Sequence, residues 1–162
     1  LCMTASLPPR RRRELEACGL TVFPESEDAL PDLAAAAGMP RYRVQRIAGE
    51  EQARQIAAGA RRDGLRVLWV VNTVRRCQEL ARDSGALCYH SRFKLEDRRE
   101  RHREVVDAFQ GGWRQGVLAL TTQVCEMSLD LDADVLISEV APVTALIQRM
   151  GRCNRHAKPG QG

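Results

Sequence analysis

The sequence predicts an α/β protein built on a parallel β-sheet with helices on both of its faces. Short apolar runs alternate along the chain with longer segments in which apolar residues recur at helical spacing. The apolar runs are nearly continuous, which is typical of strands that helices cover on both faces. Polar residues follow several of these strands, and ligands of such sheets bind at the carboxyl ends of the strands. We therefore expect a ligand site along that edge.

The predicted elements justify this class in order along the chain. A basic helix over Pro9–Cys18 comes first and is followed by a candidate strand, Leu20–Phe23. Prolines and acidic residues in 25–40 predict a linker between a first unit, 1–24, and a second domain, 41–162. The predicted strands of the second domain are Tyr42–Ile47, Arg66–Val71, Ala86–Tyr89, Val117–Leu120 and Val135–Ile137. Its predicted helices are Glu50–Arg62, Val74–Arg82, Leu95–Phe109 and Thr144–Met150.

Composition excludes some classes and leaves others open. The 162 residues suffice for one domain and little more, and an apolar fraction of 44% is ordinary for a packed core. The net charge of +4 permits an anionic partner without requiring one. The six cysteines form no CxxC pair, which argues against a zinc site and favours reduced thiols in the cytoplasm. No apolar stretch reaches ~18 residues, so no membrane span is expected.

Three arginines lie at the end of the last predicted helix and directly after it. Arg149, Arg152 and Arg155 lie three residues apart, a spacing that projects side chains from one side of a helical turn. Guanidinium groups suit the oxygens of a phosphate chain. On spacing alone, a salt-bridged surface helix explains these arginines equally well.

The residues around these arginines carry a family resemblance. The sequence QRMGRCNR at 148–155 matches QRxGRxxR, motif VI of superfamily 2 helicases, and Thr121–Asp130 resembles their motif V. The run from Thr121 to Pro142 and the segment His90–Phe93 resemble most closely the CRISPR-associated helicase-nuclease of type I systems. Thr4-Ala5-Ser6 occupies the place of motif III, in a changed order. The resemblance implies a RecA-like C-terminal helicase domain for 41–162, and the end of a first RecA-like domain for 1–24.

The resemblance also implies a nucleotide site. It assigns Arg152 and Arg155 to the γ-phosphate of ATP, which they would reach across a cleft from the partner domain. Gln148 matches the position that orients the attacking water, although an exposed helical glutamine is the commoner use of this residue. Asp130 matches a position that contacts the ribose or links to motif VI, and a capping carboxylate is an equal alternative. Gly151 completes the expected ATP-binding set.

A nucleic-acid site is expected at the strand ends. Short polar side chains there suit phosphate oxygens, and ordinary turn and capping chemistry is the alternative. Arg98 lies eight residues after His90, as does a phosphate-binding arginine of the superfamily. The predicted site consists of Asn72, Thr73, His90, Ser91, Arg92, Arg98, Thr121 and Thr122.

Other positions keep open roles. Glu126 and Ser128 replace small residues that other branches of the superfamily use in motif V. Trp113 either stacks on a base or covers the sheet edge. Arg92 is a phosphate contact or an ordinary solvated charge.

Two helicase motifs are missing from the sequence. It contains neither a GxxxxGK[ST] phosphate loop nor a DExH segment. The resemblance therefore implies that a first motor domain, outside these residues, holds most of ATP and Mg²⁺, and that a nuclease metal lies elsewhere in a longer protein. No metal site is expected in this chain. By itself the chain is expected to lack ATPase activity and to bind single strands weakly and salt-sensitively.

The expected function follows from the resemblance. The complete protein would be a cytoplasmic ATP-dependent DNA helicase and nuclease that unwinds target DNA in type I CRISPR interference, an antiviral defence. Its partners would be single-stranded DNA, a guide-RNA surveillance complex and its own first RecA-like domain. Two alternatives stay open: a non-catalytic nucleic-acid or protein binding module of the same fold, and a general superfamily 2 RNA helicase.

Overall fold

The computed structural model describes residues 7–23, 42–111 and 116–155, except for the side chain of Ser128. The chain divides into two compact units, Leu1–Arg43 with Ala157–Gly162, and Val44–His156. The described part of the first unit contains helix α1, Pro9–Ala17, which confirms the predicted basic helix. Its arginines form ion pairs one turn along the helix, as between Arg12 and Glu16 at 2.9 Å.

Four parallel strands form the sheet of the second unit, in the order β2-β3-β1-β4. The register places Leu68 of β1 beside both Ala119 of β3 and Leu136 of β4. The predicted α/β class is confirmed. The strands are β1, Arg66–Val70, β2, Leu87–Tyr89, β3, Val117–Thr121, and β4, Val135–Ser138.

Helices cover both faces of this sheet. Side chains alternate between the faces along each strand, so Val67 and Trp69 pack on one side while Leu68 and Val70 pack on the other. The connection from β1 to β2 crosses the sheet in one direction, and the connections to β3 and β4 return in the other. Right-handed crossovers then require helices on opposite faces. The helices are α2, Glu50–Arg62, α3, Val74–Ser84, α4, Leu95–Gln110, α5, Val124–Ser128, and α6, Val143–Met150.

The two faces bury separate apolar clusters. Helices α2 and α3 pack on the face of Val67 and Trp69. Helix α4 packs on the opposite face with Phe109, together with the segment that follows α5 and contributes Leu129 and Leu131. That segment crosses the sheet from the carboxyl end of β3 towards the amino end of β4. It therefore connects the carboxyl edge of the sheet with its amino edge.

Two predicted strands are wrong. Leu20–Phe23 is irregular, and Phe23 is largely exposed. Tyr42–Ile47 is also irregular, because Val44 is exposed and none of the described strands pairs with this segment. Helix α5 was missed, since the sequence between β3 and β4 reads only as a polar segment. The other predicted elements are present, with ends that differ by one or two residues.

Some predictions concern residues outside the described ranges. These are the motif III positions Thr4, Ala5 and Ser6, the linker 25–40 and Trp113. The boundaries at residues 24 and 41 therefore stay predictions. None of the helices in the described ranges has the length and apolar character needed to cross a membrane.

Candidate nucleotide and nucleic-acid site

The carboxyl ends of β1 and β4 are joined by hydrogen bonds of Asn72. Its backbone N–H donates to Oε2 of Glu139 at 2.6 Å, and its Nδ2 donates to the carbonyl of Val140 at 2.8 Å. Nε2 of Gln123 donates to the carbonyl of Asn72 at 3.1 Å, which brings in the end of β3. Asn72 therefore lies at the predicted edge and organises it through contacts within the protein.

Arg149 is buried beneath this edge and holds it together. The residue is 1% exposed. Nε donates to Oε1 of Glu126 at 2.9 Å, and Nη2 donates to Oδ1 of Asn72 at 3.1 Å. Nη1 donates to Oγ of Ser138 at 3.0 Å and to the carbonyl of Glu139 at 3.2 Å. One cation thus joins the ends of β1 and β4 to α5.

The regular spacing of the three arginines predicts no separate role for Arg149. A signal was available, because Leu146, Met150 and Cys153 continue the apolar spacing of α6 on the side that also contains Arg149. A basic residue on the apolar side of a short helix needs acceptors inside the protein. The polar residues that follow β1 and β4 supply them.

Glu139 extends the network to the neighbouring helices. Its Oε1 accepts from Nε of Arg76 at 2.6 Å, and Nη2 of Arg76 donates to Oε2 of Glu50 at 3.0 Å. The carboxyl end of β4 is therefore tied to α3 and to the first turn of α2. These contacts fix the edge from the face opposite to α5.

Arg152 binds the end of α5. Its Nε donates to the carbonyl of Cys125 at 3.0 Å, and its Nη2 donates to the carbonyl of Glu126 at 2.8 Å. The last carbonyls of a helix lack partners within the helix and carry its negative dipole end, so a guanidinium suits them. Burial raises the pKa of the Cys125 thiol to about 12, which keeps that side chain neutral beside the two arginines.

Arg155 lies farther from the carboxyl edge. Its side chain pairs with Asp130, and its backbone N–H donates to Oδ1 of Asp132 at 2.7 Å. The side chains are 44% exposed for Arg155 and 77% exposed for Asp130. Nearby, Ala133 forms an isolated parallel bridge with Cys153, ahead of the first residue of β4.

The bridge and the two bonds place Arg155 near the amino end of β4. The chain leaves α6 and runs towards the amino end of β4, and Arg155 goes with it. Gly151 forms the C-cap of α6, with its N–H bonded to the carbonyl of Ile147 at 3.0 Å. Gln148 is half-buried.

Three residues of the predicted nucleic-acid site have buried side chains. His90, Thr121 and Thr122 are 1%, 1% and 2% exposed, so in this structure their side chains do not face a surface ligand. Their contact with nucleic acid stays a prediction.

His90 contacts two residues of the loop that follows β2 and one residue of α3. Its ring stacks on Phe93 with centroids 4.1 Å apart and planes 4° from parallel. Nδ1 accepts from the backbone N–H of Arg92 at 3.2 Å, and Nε2 lies 3.1 Å from Nε2 of Gln78. Burial lowers the pKa of His90 below its usual value.

The other predicted contacts vary in exposure. Thr73 is exposed and caps α3, with Oγ1 accepting from the N–H of Arg76 at 3.3 Å. Ser91 and Arg92 are exposed, and Arg98 is half-buried with Nε donating to the hydroxyl of Tyr89 at 3.3 Å. The surface offered at this edge is therefore formed mainly by the loop after β2 and the start of α3.

The family model for the C-terminal part of the CRISPR-associated nuclease/helicase Cas3 matches residues 63–158, which include all four strands, α6 and the two arginines that follow it. The chain belongs to the Cas3 nuclease/helicase family. A Cas3 relative from Myxococcus xanthus is 43% identical over 162 residues, which are 97% of this chain and 21% of the relative. The chain thus spans about a fifth of that Cas3 protein.

Solved structures of Cas3 confirm the RecA-like fold. The crystal structure of T. fusca Cas3 with ATP matches with a TM-score of 0.58 and 32% identity, over 70% of this chain and 15% of that chain. A chain of a CRISPR RNA-guided surveillance complex before nicking matches with a TM-score of 0.52 and 30% identity, over the same shares. The resemblance to the CRISPR helicase-nuclease is confirmed.

Proposed function

We propose that this chain is the second motor domain of an ATP-dependent DNA helicase that also carries a nuclease. The match to the C-terminal part of Cas3 supports the proposal. The observation that carries it is the bonding of Arg152 and Arg155 to the segment 125–132. The two segments that resemble helicase motifs V and VI thereby form one unit, as a shared nucleotide contact requires.

The described arginines fit a phosphate ligand. Arg152 binds the carbonyls of Cys125 and Glu126 through Nε and Nη2. Its Nη1 lies on the other side of the guanidinium group and is the atom that a phosphate would approach. Arg155 would have to release Asp130, but an exposed ion pair contributes only about 0–1 kcal/mol, so a polyphosphate could displace it. ATP would supply the phosphoryl group, and these arginines would stabilise its developing charge. Without a phosphate loop, the chain alone would bind ATP too weakly to hydrolyse it.

Single-stranded DNA is the proposed polymer ligand. Thr73, Ser91 and Arg92 are exposed at the carboxyl edge, with Asn72 and Arg98 behind them. Hydroxyl groups and a guanidinium suit a phosphate backbone, which positions a strand without reading its sequence. The likeness to the chain in a surveillance complex supports that complex as a partner of the complete protein, which would act in the cytoplasm.

Arg152→Ala in the complete polypeptide tests the proposal. We expect DNA-stimulated ATP hydrolysis to fall by roughly 10³-fold or more, as for loss of an arginine finger, while ATP binding largely remains. The matched control is Arg101→Ala, which removes an exposed arginine that pairs with Glu104 on α4. It should hydrolyse ATP at nearly the unmodified rate.

Near-normal turnover of Arg152→Ala would refute the proposal. The same assay with RNA in place of DNA separates the proposed DNA helicase from a general RNA helicase. Equal stimulation by both polymers would favour the RNA alternative.

A further inference from the structure

Arg149, which is buried in α6, and Arg152, which is half-buried and follows α6, both bind one residue, Glu126. Its carboxylate accepts from Arg149, and its backbone carbonyl accepts from Arg152. Glu126 is itself largely buried, with a side chain 14% exposed. One residue of α5 therefore receives both the cation that holds the sheet edge and the cation proposed to face the nucleotide.

Helix α5 depends on such contacts for its position. It has five residues, Val124–Ser128, and helices this short are not stable by themselves. Cys125 packs into the core, but Met127 is 89% exposed. The orientation of the carbonyls that bind Arg152 therefore depends on how the Glu126 carboxylate is held.

At the other end, Arg149 reaches the strand edge through Asn72. The bond from Nη2 of Arg149 to Oδ1 of Asn72 is 3.1 Å long. Asn72 immediately precedes Thr73, the exposed cap of α3. A continuous set of hydrogen bonds thus runs from Asn72 through Arg149 and Glu126 to Arg152.

We propose that Arg149 is a positioning residue that, through Glu126, holds Arg152 in its working orientation and links it to the strand edge. The inference rests on the proposed function and adds a role for a residue that touches neither ligand. A misplacement of about 1 Å in a catalytic group costs roughly 10²-fold in rate. Lysine cannot replace Arg149, because its single ammonium group lacks the planar fork that reaches separated acceptors.

The test uses Arg149→Lys and Glu126→Gln in the complete polypeptide. Both variants should lower kcat of DNA-stimulated ATP hydrolysis by about 10–100-fold with little change in KM for ATP, the pattern of a contact needed only in the transition state. Asp134→Asn is the matched control. It breaks the ion pair of Arg66 and Asp134, 2.7 Å long, at the amino edge of the same sheet. It should lower the melting temperature and leave kcat near its original value.

The outcomes separate this role from a merely structural one and from the proposed function. Glu126→Gln keeps the side-chain volume and leaves Arg149 its acceptors on Asn72, Ser138 and Glu139, so it decides the question alone if Arg149→Lys does not fold. Normal kcat of folded Glu126→Gln, beside an inactive Arg152→Ala, overturns the positioning role only. Normal kcat of Arg152→Ala overturns the proposed function itself. A kcat loss in Asp134→Asn equal to that in Glu126→Gln also overturns the positioning role.

Discussion

Arg149 and Arg155 lie six residues apart on one stretch of chain, yet their surroundings differ in nearly every respect. Arg149 is 1% exposed and donates to acceptors on three elements. Arg155 has a side chain 44% exposed and pairs with Asp130, which is more exposed still. The buried arginine joins several elements, whereas the side chain of the exposed one pairs with a surface carboxylate. Regular spacing along the chain therefore does not define a function, because the burial of the two arginines differs.

The largest expected effect is on stability. Arg149→Met should destabilise the sheet by about 3–5 kcal/mol, since it leaves the buried Glu126 carboxylate without its cation. Arg155→Met should cost less than about 1 kcal/mol, as expected for an exposed ion pair. Hydrogen exchange of the β1 and β4 amides in the complete protein measures both. Equal protection in the two variants would contradict the comparison.

The same contrast explains what the sequence could predict. The strands β1 and β3 were found because their apolar residues are continuous, a local property of strands covered on both faces. The structural role of Arg149 was not found, since its acceptors come from residues 72, 126, 138 and 139, which only folding brings together.

Two short segments could not be predicted correctly, for a related reason. Helix α5 has too few residues to show a helical period, and its position depends on Arg149 and Arg152. Tyr42–Ile47 has residue types that suit a strand, but a strand also needs a neighbour, which is a long-range property. The position of His90 at the end of β2 follows from the apolar run before it, while its burial against Phe93 could not be inferred from the segment itself.

As the pH falls, the stability contributed by His90, at the carboxyl end of β2, should be lost before the stability contributed by Asp134 at the amino edge. The folded pKa of His90 is lowered by burial, so its contribution to stability is present above its unfolded pKa of about 6.5 and is lost as pH falls below it. His90→Gln should therefore reduce the fall in melting temperature between roughly pH 7 and pH 5.

Asp134 provides the comparison for this experiment. Its hydrogen bonds and ion pair with Arg66 lower its pKa, so its contribution is present above the usual carboxylate pKa and disappears only in more acidic solution. Asp134→Asn should thus leave the slope between about pH 7 and pH 5 unchanged. An unaltered slope in His90→Gln would show that burial of this ring does not control the pH response.

The smallest expected effect tests whether Asp130 only pairs with Arg155 or also contacts the nucleotide. Its carboxylate pairs with Arg155 at the surface, so Asp130→Asn should change stability by less than about 1 kcal/mol. If the pair competes with a phosphate for Arg155, the variant should lower KM for ATP by at most about 5-fold, which corresponds to that energy. A steady-state ATPase assay of the complete protein measures the change, with Glu104→Gln on α4 as the control for loss of an exposed carboxylate. A higher KM would instead indicate that Asp130 contacts the nucleotide, because a ribose contact would then be lost.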